Sequence, residues 1–492
     1  MIEYIVAIFA IWIILLYIVN KKGKKYGLEI AGPLLMWKTE KGKKFIDRIA
    51  RRNIWRWYGN VAIVISIIAM ILTTALIIWN LSISFRIPPQ AAPSPRLILG
   101  IPGINPIIPI GYGVIALAAA IIVHEFSHGI LARYGRVRVK SLGLLFLIVP
   151  IGAFVEPDEE ELKRVSRVKR SRVFAAGPAS NIILALICLI LLAFIFSPLI
   201  TPKVDGAIVG YDAYGIDRWS VIVDVEDMEV KNVEDFVDFI NGIEAGKFYN
   251  ITLWKDGSLI DKKILNGVYV LDVVKGSPAE EKIRKGDIIY EIDGKTVKSG
   301  EDFLKIMNET VAGQEITIAY YRNTSFYNAS IILADRYDFT GTDKGKGFLG
   351  IEAAGLQDML LNTQYFQKLY NPFKGNFLGY LALPFSGLSS MPAELQHIYT
   401  PSPAFWMMYS LIYWIFWLNF AVGTFNALPS LPLDGGYIFR DGISYIISKL
   451  GVKKKERMEK ISSYITNAVS VAIFLCIFSI ILVPRLRLLI SF

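Results

Sequence analysis

The chain has 492 residues, 53% of them hydrophobic, with a mean hydropathy of +0.44 and a formal net charge of +10. That composition excludes an ordinary soluble enzyme. The positive charge does not point to nucleic acid, because its basic runs (21–56, 133–140, 162–172 and 449–460) flank apolar segments, as at a membrane face carrying anionic lipids.

A membrane-spanning helix needs roughly 20 mostly apolar residues. Six segments meet that requirement: about 2–20, 58–80, 112–132, 173–199, 405–428 and 462–484. The first lacks a basic leader and a small-residue cleavage site, so it reads as a retained anchor rather than a signal peptide. If the spans alternate, all four basic runs share one side, the cytoplasm by the positive-inside rule. Both termini and the segment 201–404 then lie outside it. Cys188 and Cys476 fall within spans and read as packing residues, not as a disulfide or metal pair. The expected fold is a polytopic α-helical membrane protein of about six spans, with an α/β tandem inserted outside the membrane.

Between the third and fourth spans, SLGLLFLIVPIGAFVEPD (141–158) reads as a hairpin that dips into the membrane and returns. Non-helical backbone at that depth is tolerated only against protein or a wet cavity. GNFLGYLALPFSGLSSMP (375–392), interrupted by Gly and Pro, reads as interfacial or re-entrant.

The segment after the fourth span contains a repeat. EVKNVEDFVDFINGIEAGKFYNITLWKDGS (229–258) aligns with TVKSGEDFLKIMNETVAGQEITIAYYRNTS (296–325) at an offset of 67 residues. The second copy follows GVYVLDVVKGSPAEEKIRKGDIIYEIDGK and resembles PDZ domains of membrane-associated proteases; the first lacks the SPA helix start and reads as a degenerate copy. PDZ domains bind extended peptides by strand addition; a spacer or size filter is an equally open reading. The domains expected are 1–111 (N-terminal membrane region), 112–200 (first half of the membrane core), 201–267 (degenerate PDZ-like), 268–335 (PDZ-like), 336–404 (connector) and 405–492 (second half of the core).

The chemistry centres on VHEFSHG (123–129), in the third span. A charge at membrane depth costs about 2.5–3.5 kcal/mol on insertion scales and marks function. On a helix His124 and His128 project from one face, a spacing that lets two neutral imidazoles bind one zinc ion. Glu125, on the adjacent face, is placed to act on water rather than to ligate. A catalytic zinc needs a third protein ligand. His397 lies in the outer segment and fits poorly; Asp434, in FNALPSLPLDGGYIFRD (425–441) after the fifth span, fits better. Prolines break the helix there, and a carboxylate at membrane depth needs a purpose.

HEFSHG, GPASN (177–181) and N-x-x-P-x-x-P-x-D-G-G (426–436), in that order, resemble the site-2 protease family of intramembrane zinc metalloproteases. The resemblance covers roughly 112–199 and 405–445. It implies one zinc per chain held by His124, His128 and Asp434, with Glu125 as general base. It also implies that Asn181 and Asn426 support the substrate or a polarised carbonyl; an interhelical hydrogen bond is the competing role for Asn181. Family members cut transmembrane or membrane-proximal segments of other proteins, often after a first cut outside. The expected partners are therefore transmembrane substrates, peptide termini at the PDZ-like domains and membrane lipids. A catalytically silent scaffold that recruits partners through those domains is the alternative, and a zinc transporter is disfavoured because the spans show no inverted repeat.

Overall fold

The structure is a computed structural model that describes residues 2–39, 42–88, 92–98, 100–147, 149–389, 391–452 and 454–490. It divides into two compact units. One comprises residues 1–192, 381–389 and 407–492, the other 193–380 and 390–406.

The first unit begins with α1 (Ile2–Lys22), β1 (Leu28–Ala31), β2 (Leu34–Thr39), α2 (Lys43–Ala50), α3 (Ile54–Ser84) and α4 (Ile110–Tyr134). It continues with β3 (Val139–Leu147), β4 (Val149–Pro157), α5 (Glu159–Arg164) and α6 (Arg167–Leu191). Among the described residues five helices are long and apolar enough to cross a membrane: α3, α4, α6 with its extension to Leu199, and two near the C-terminus. They coincide with five of the six expected spans. The sixth is α1, whose side chains before Ala10 lie outside the described residues. The protein is an integral membrane protein.

The helices pack through small residues. Ala116 and Ala120 of α4 and Ala175, Ala176 and Ala179 of α6 are fully buried, as expected where lipid supplies no hydrophobic force and close backbone approach must hold helices together. A hydroxyl chain reinforces the contact: Ser180 donates to Ser127 Oγ at 2.5 Å, and Tyr58 of α3 pairs with Ser180.

The expected hairpin at 141–158 forms as β3 and β4, paired antiparallel. It does not stand alone. β1 and β2, within the basic stretch after α1, extend it to a four-stranded antiparallel sheet in the order β1-β2-β3-β4. The region before the third span, opaque in the sequence, thus supplies half of this sheet. β4 forms one edge.

The second unit carries β5 (Ala207–Val209), β6 (Val221–Val225), β7 (Met228–Glu229), α7 (Val233–Gly242), β8 (Phe248–Lys255) and β9 (Ser258–Leu265). Then come β10 (Val268–Val273), β11 (Ile288–Ile292), β12 (Lys295–Thr296), α8 (Gly300–Glu309), β13 (Glu315–Arg322) and β14 (Ser325–Ile332). β15 (Ala334–Asp335), α9 (Arg336–Thr340), β16 (Gly347–Phe348), β17 (Ile351–Gly355), β18 (Leu360–Asn362) and α10 (Tyr365–Leu369) follow. The repeat is structural: α7, β8 and β9 recur 67 residues later as α8, β13 and β14. Both helices start on a cap at equivalent positions, Asn232 accepting from Asp235 N and Ser299 from Asp302 N, a common device for the free N–H groups of a helix start.

The expected boundary at 335 is corrected by the sheet topology. The second sheet runs β14-β13-β11-β10-β17 and the first β18-β5-β6-β8-β9. Both take an edge strand from the stretch expected to be a connector, and the second domain sits between β9 and β18 of the first. The second domain's chain enters at Val268 and leaves at Gly355, which pair with each other. The buried Tyr214 hydroxyl donates to Gly267 O at 2.6 Å and lies 3.3 Å from Ala354 O. Burial pushes that hydroxyl well above its usual pKa, so it remains a donor.

The chain then forms α11 (Phe377–Ala382), α12 (Pro403–Asn426), α13 (Asp434–Lys449) and α14 (Lys455–Ile490). Within the 375–392 stretch, expected to be interfacial or re-entrant, residues 377–386 are helical, and the Leu381 carbonyl accepts from Trp417 Nε1 of α12 at 3.0 Å.

Candidate metal centre

α4 places His124 and His128 one turn apart, with ring centroids 4.7 Å apart and both residues buried. His128 Nδ1 lies 2.7 Å from the Val173 carbonyl of α6. A carbonyl can only accept, so Nδ1 carries the proton and Nε2 keeps its lone pair.

Asp434 arrives from α13. The chain leaves α12 at Asn426, is held at Leu431 N by Ser470 Oγ of α14 (2.9 Å), and starts α13 at the aspartate itself. The two glycines that follow explain how α13 fits. A Cβ on Gly435 would collide with the Ala427 and Leu428 carbonyls, and one on Gly436 would stand 2.6 Å from Leu431 N. Only glycine lets the first turn of α13 lie on the preceding backbone. Asp434 Oδ2 then lies 3.0 Å from His124 Nε2 and 3.2 Å from His128 Nε2.

Gly177, in GPASN, completes the pocket wall. A Cβ there would stand 2.5 Å from His128 Nε2 and 2.6 Å from His124 Nε2. The missing methyl leaves space beside both ring nitrogens.

Glu125 lines the same cavity, of about 690 Å³, together with His124, His128 and Asp434. Its Oε2 accepts the Val155 N–H of β4 at 2.9 Å. Asn426 also lines the cavity, with its Nδ2 donating to Val422 O at 3.0 Å. Asn181 is fully buried and outside the cavity lining. Its Cβ lies 3.2 Å from where a Cβ on Gly423 of α12 would stand, and neither polar atom of its amide has a partner among the described residues. His397 stacks on Trp254 in the other unit.

Three elements of the site escaped sequence reasoning. Met36 and Lys38 of β2 line the cavity, and Lys38 pairs with Glu29 and Glu156 at 2.8 and 3.7 Å. The GP turn between the short apolar runs LEIA and LLMWKT was the available signal, obscured by surrounding lysines. The third is a buried ion pair, in which Arg170 of α6 makes two hydrogen bonds to Asp441 of α13, and Ser171 donates to the same carboxylate at 3.3 Å.

Residues 112–473 match the model of peptidase family M50. The chain belongs to peptidase family M50. This is the site-2 protease family that the three motifs resemble, and the protein is a protease of metal-dependent type. Among similar proteins, a chain of Borreliella burgdorferi named "Putative zinc metalloprotease" is 25% identical over 47% of this chain and 64% of its own length. An uncharacterized protein of Methanocaldococcus jannaschii is 27% identical over 87% of this chain and 82% of its own. The chain thus spans less than two thirds of the first of these two. A crystal structure of the PDZ domain of an SdrC-like protein from Listeria monocytogenes is 30% identical over 19% of this chain and 92% of that one, with a TM-score of 0.17.

The donor set fits the zinc that M50 implies. Two imidazole nitrogens and a carboxylate oxygen lie within 4.8 Å of one another, of the types zinc takes in catalytic sites. The hydrogen bond from His128 to Val173 fixes the tautomer a ligand needs, and Gly177 leaves the ring nitrogens uncovered.

Proposed function

We propose that this protein is an intramembrane zinc metalloprotease that hydrolyses peptide bonds within or near transmembrane segments of other membrane proteins. The observation that carries this reading is the meeting of His124, His128 and Asp434, with Glu125 in the same cavity, inside a core of membrane-spanning helices. One zinc per chain would be held by those three ligands. When bound, zinc polarises a scissile carbonyl and brings the pKa of an attacking water towards 7.

The chain's own residues do the rest. Glu125 accepts a proton from the attacking water and returns it to the leaving amine. The Asn426 amide, in the cavity wall, can donate to a substrate carbonyl, and Asn181 is assigned a supporting role behind it. A substrate helix has its peptide groups internally bonded and must unwind to be cut. β4 is a sheet edge beside the cavity, suited to hold the unwound segment as an added strand. In the same way β17 ends its sheet beside α8, and β18 ends its own beside α7. These edges are where peptide termini would add to the PDZ-like pair. The pair lies outside the cytoplasm in this reading, and the metal centre lies towards the cytoplasmic side.

The test is cleavage of a purified single-span substrate in liposomes by wild type and Glu125→Gln. A substrate with helix-breaking residues near the cut should be cleaved faster than a uniform poly-leucine span. Equal rates on the two substrates would refute the unwinding step. Undiminished cleavage by Glu125→Gln would refute the assignment of the base.

A further inference from the structure

The membrane unit holds a second cavity, of about 910 Å³, where α3 and α6 begin and α4 ends. Six cations line it. Arg51 and Arg56 come from the α2–α3 junction, Arg133 and Arg136 from the end of α4, and Lys169 and Arg172 from the first turns of α6. Asp47 is the one carboxylate among the described lining residues, and it is held by Arg133. Arg172 donates to Asn60 Oδ1 at 3.0 and 2.7 Å, a neutral partner that leaves its charge uncompensated. Arg51, Arg56, Arg136 and Lys169 form no ion pair with any described residue.

Two helix starts open on the same space. Asn53 and Ser166, the residues before α3 and α6, both line the cavity, and neither side chain caps its helix. At the α3 start the Trp55 and Arg56 amides already donate to the Arg52 and Asn53 carbonyls, so it is the free N–H groups of the α6 start that carry partial positive charge and favour anions. The positive-inside rule explains cations on this face. It does not explain their convergence, with the uncapped start of α6, on one cavity.

The flanks of the cavity are apolar. Ile54 and Trp57 on α3 and Val168 on α6 are more than half exposed, and both helices continue as membrane spans. A ligand matching this surface has a phosphate-bearing anionic head and an apolar tail.

We propose that this cavity is a binding site for the head group of an anionic phospholipid, its phosphate held by Arg51, Arg56 and Arg136 beside the α6 helix start. The site is separate from the metal centre and does not depend on proteolysis.

The test is native mass spectrometry of the full chain in uncharged detergent with added phosphatidylglycerol or phosphatidylcholine. The triple variant Arg51→Gln/Arg56→Gln/Arg136→Gln is compared with Lys454→Gln/Arg457→Gln/Lys460→Gln, three exposed cations at the start of α14. The cavity triple should lose phosphatidylglycerol binding by about a hundredfold, at roughly fivefold per basic contact. The α14 triple should bind as wild type does. Should the cavity triple not fold, as judged by its melting midpoint in lipid-free detergent, Arg51→Gln and Arg136→Gln alone should each lose about fivefold. Equal losses in both triples would overturn the site in favour of diffuse surface charge. Equal retention of phosphatidylcholine and phosphatidylglycerol would overturn its charge selectivity. Binding of inorganic pyrophosphate without retention of phosphatidylglycerol would overturn the lipid in favour of a soluble anion.

Discussion

Glu125 Oε2 accepts the Val155 amide at 2.9 Å, so the helix that carries both histidines is tied to the edge of the four-stranded sheet. A glutamine at 125 can still accept that bond through its amide oxygen but cannot take a proton. Glu125→Gln should therefore keep its zinc and its melting midpoint while cleavage falls by about 10²–10⁴-fold, the range for a general base. His128→Ala and Asp434→Asn should instead lose zinc. Metal content per mole of purified protein separates the two outcomes. Full zinc in Asp434→Asn would remove the third ligand, and zinc absent from all forms, wild type included, would favour the silent scaffold.

Gly177→Ala would place a methyl carbon 2.5–2.6 Å from the Nε2 atoms of His128 and His124. Rings and helix cannot both stay in place, so zinc content should drop sharply although no ligand has been altered. Ala179→Gly, two residues on in the same helix, serves as a control for backbone loosening. Stoichiometric zinc in Gly177→Ala would show that the rings move aside at no cost.

Arg170 and Asp441 join α6, which carries Gly177, to α13, which carries Asp434. Asp441 is 4% exposed. Removing one partner leaves a buried unpaired charge, a loss of about 3–5 kcal/mol in comparable pairs, whereas replacing both with apolar residues of similar volume is often neutral. Arg170→Met should thus melt well below wild type, and Arg170→Met/Asp441→Leu should recover much of the difference. A double variant as unstable as the sum of its two singles would mean that the pair is not coupled.

The outward Val155 N–H implies, by the two-residue alternation of a strand, that Ala153 N–H also faces away from β3. Ala153→Pro deletes that donor without breaking a β3–β4 bond, and proline is tolerated on sheet edges. Zinc content and melting should hold while the KM for a membrane substrate rises. An unchanged KM would argue that substrates do not add to β4.

Much of this was readable in advance. Helix length and apolar content mark the spans, because lipid leaves the chain few alternatives, and the i, i+4 histidines announce a shared ligand face. The aspartate stands out in the sequence because a broken helix at membrane depth is conspicuous, and the structure brings it beside the two histidines. What stayed hidden depends on distant partners. LEIA and LLMWKT are too short to declare themselves strands until β3 supplies the missing hydrogen bonds. Gly177 reads as a packing glycine until the rings are seen against it, and the Arg170–Asp441 pair spans 271 residues. LLN at 360–362 carries no pattern that assigns it to a sheet whose other strands end nearly a hundred residues earlier.

That last strand has a mechanical consequence. Because β18 closes the first sheet only after the whole second domain has been threaded between β9 and itself, the two modules are linked in series and clasped at Tyr214. A pull travelling along the chain from α12 first meets the pairing of residues 398–400 with 201–203, then β18, and must release both before the clasp is loaded. Traction along this path would thus be borne by the 398–400 pairing and the three-residue strand β18 in turn, sparing the second domain until both give way.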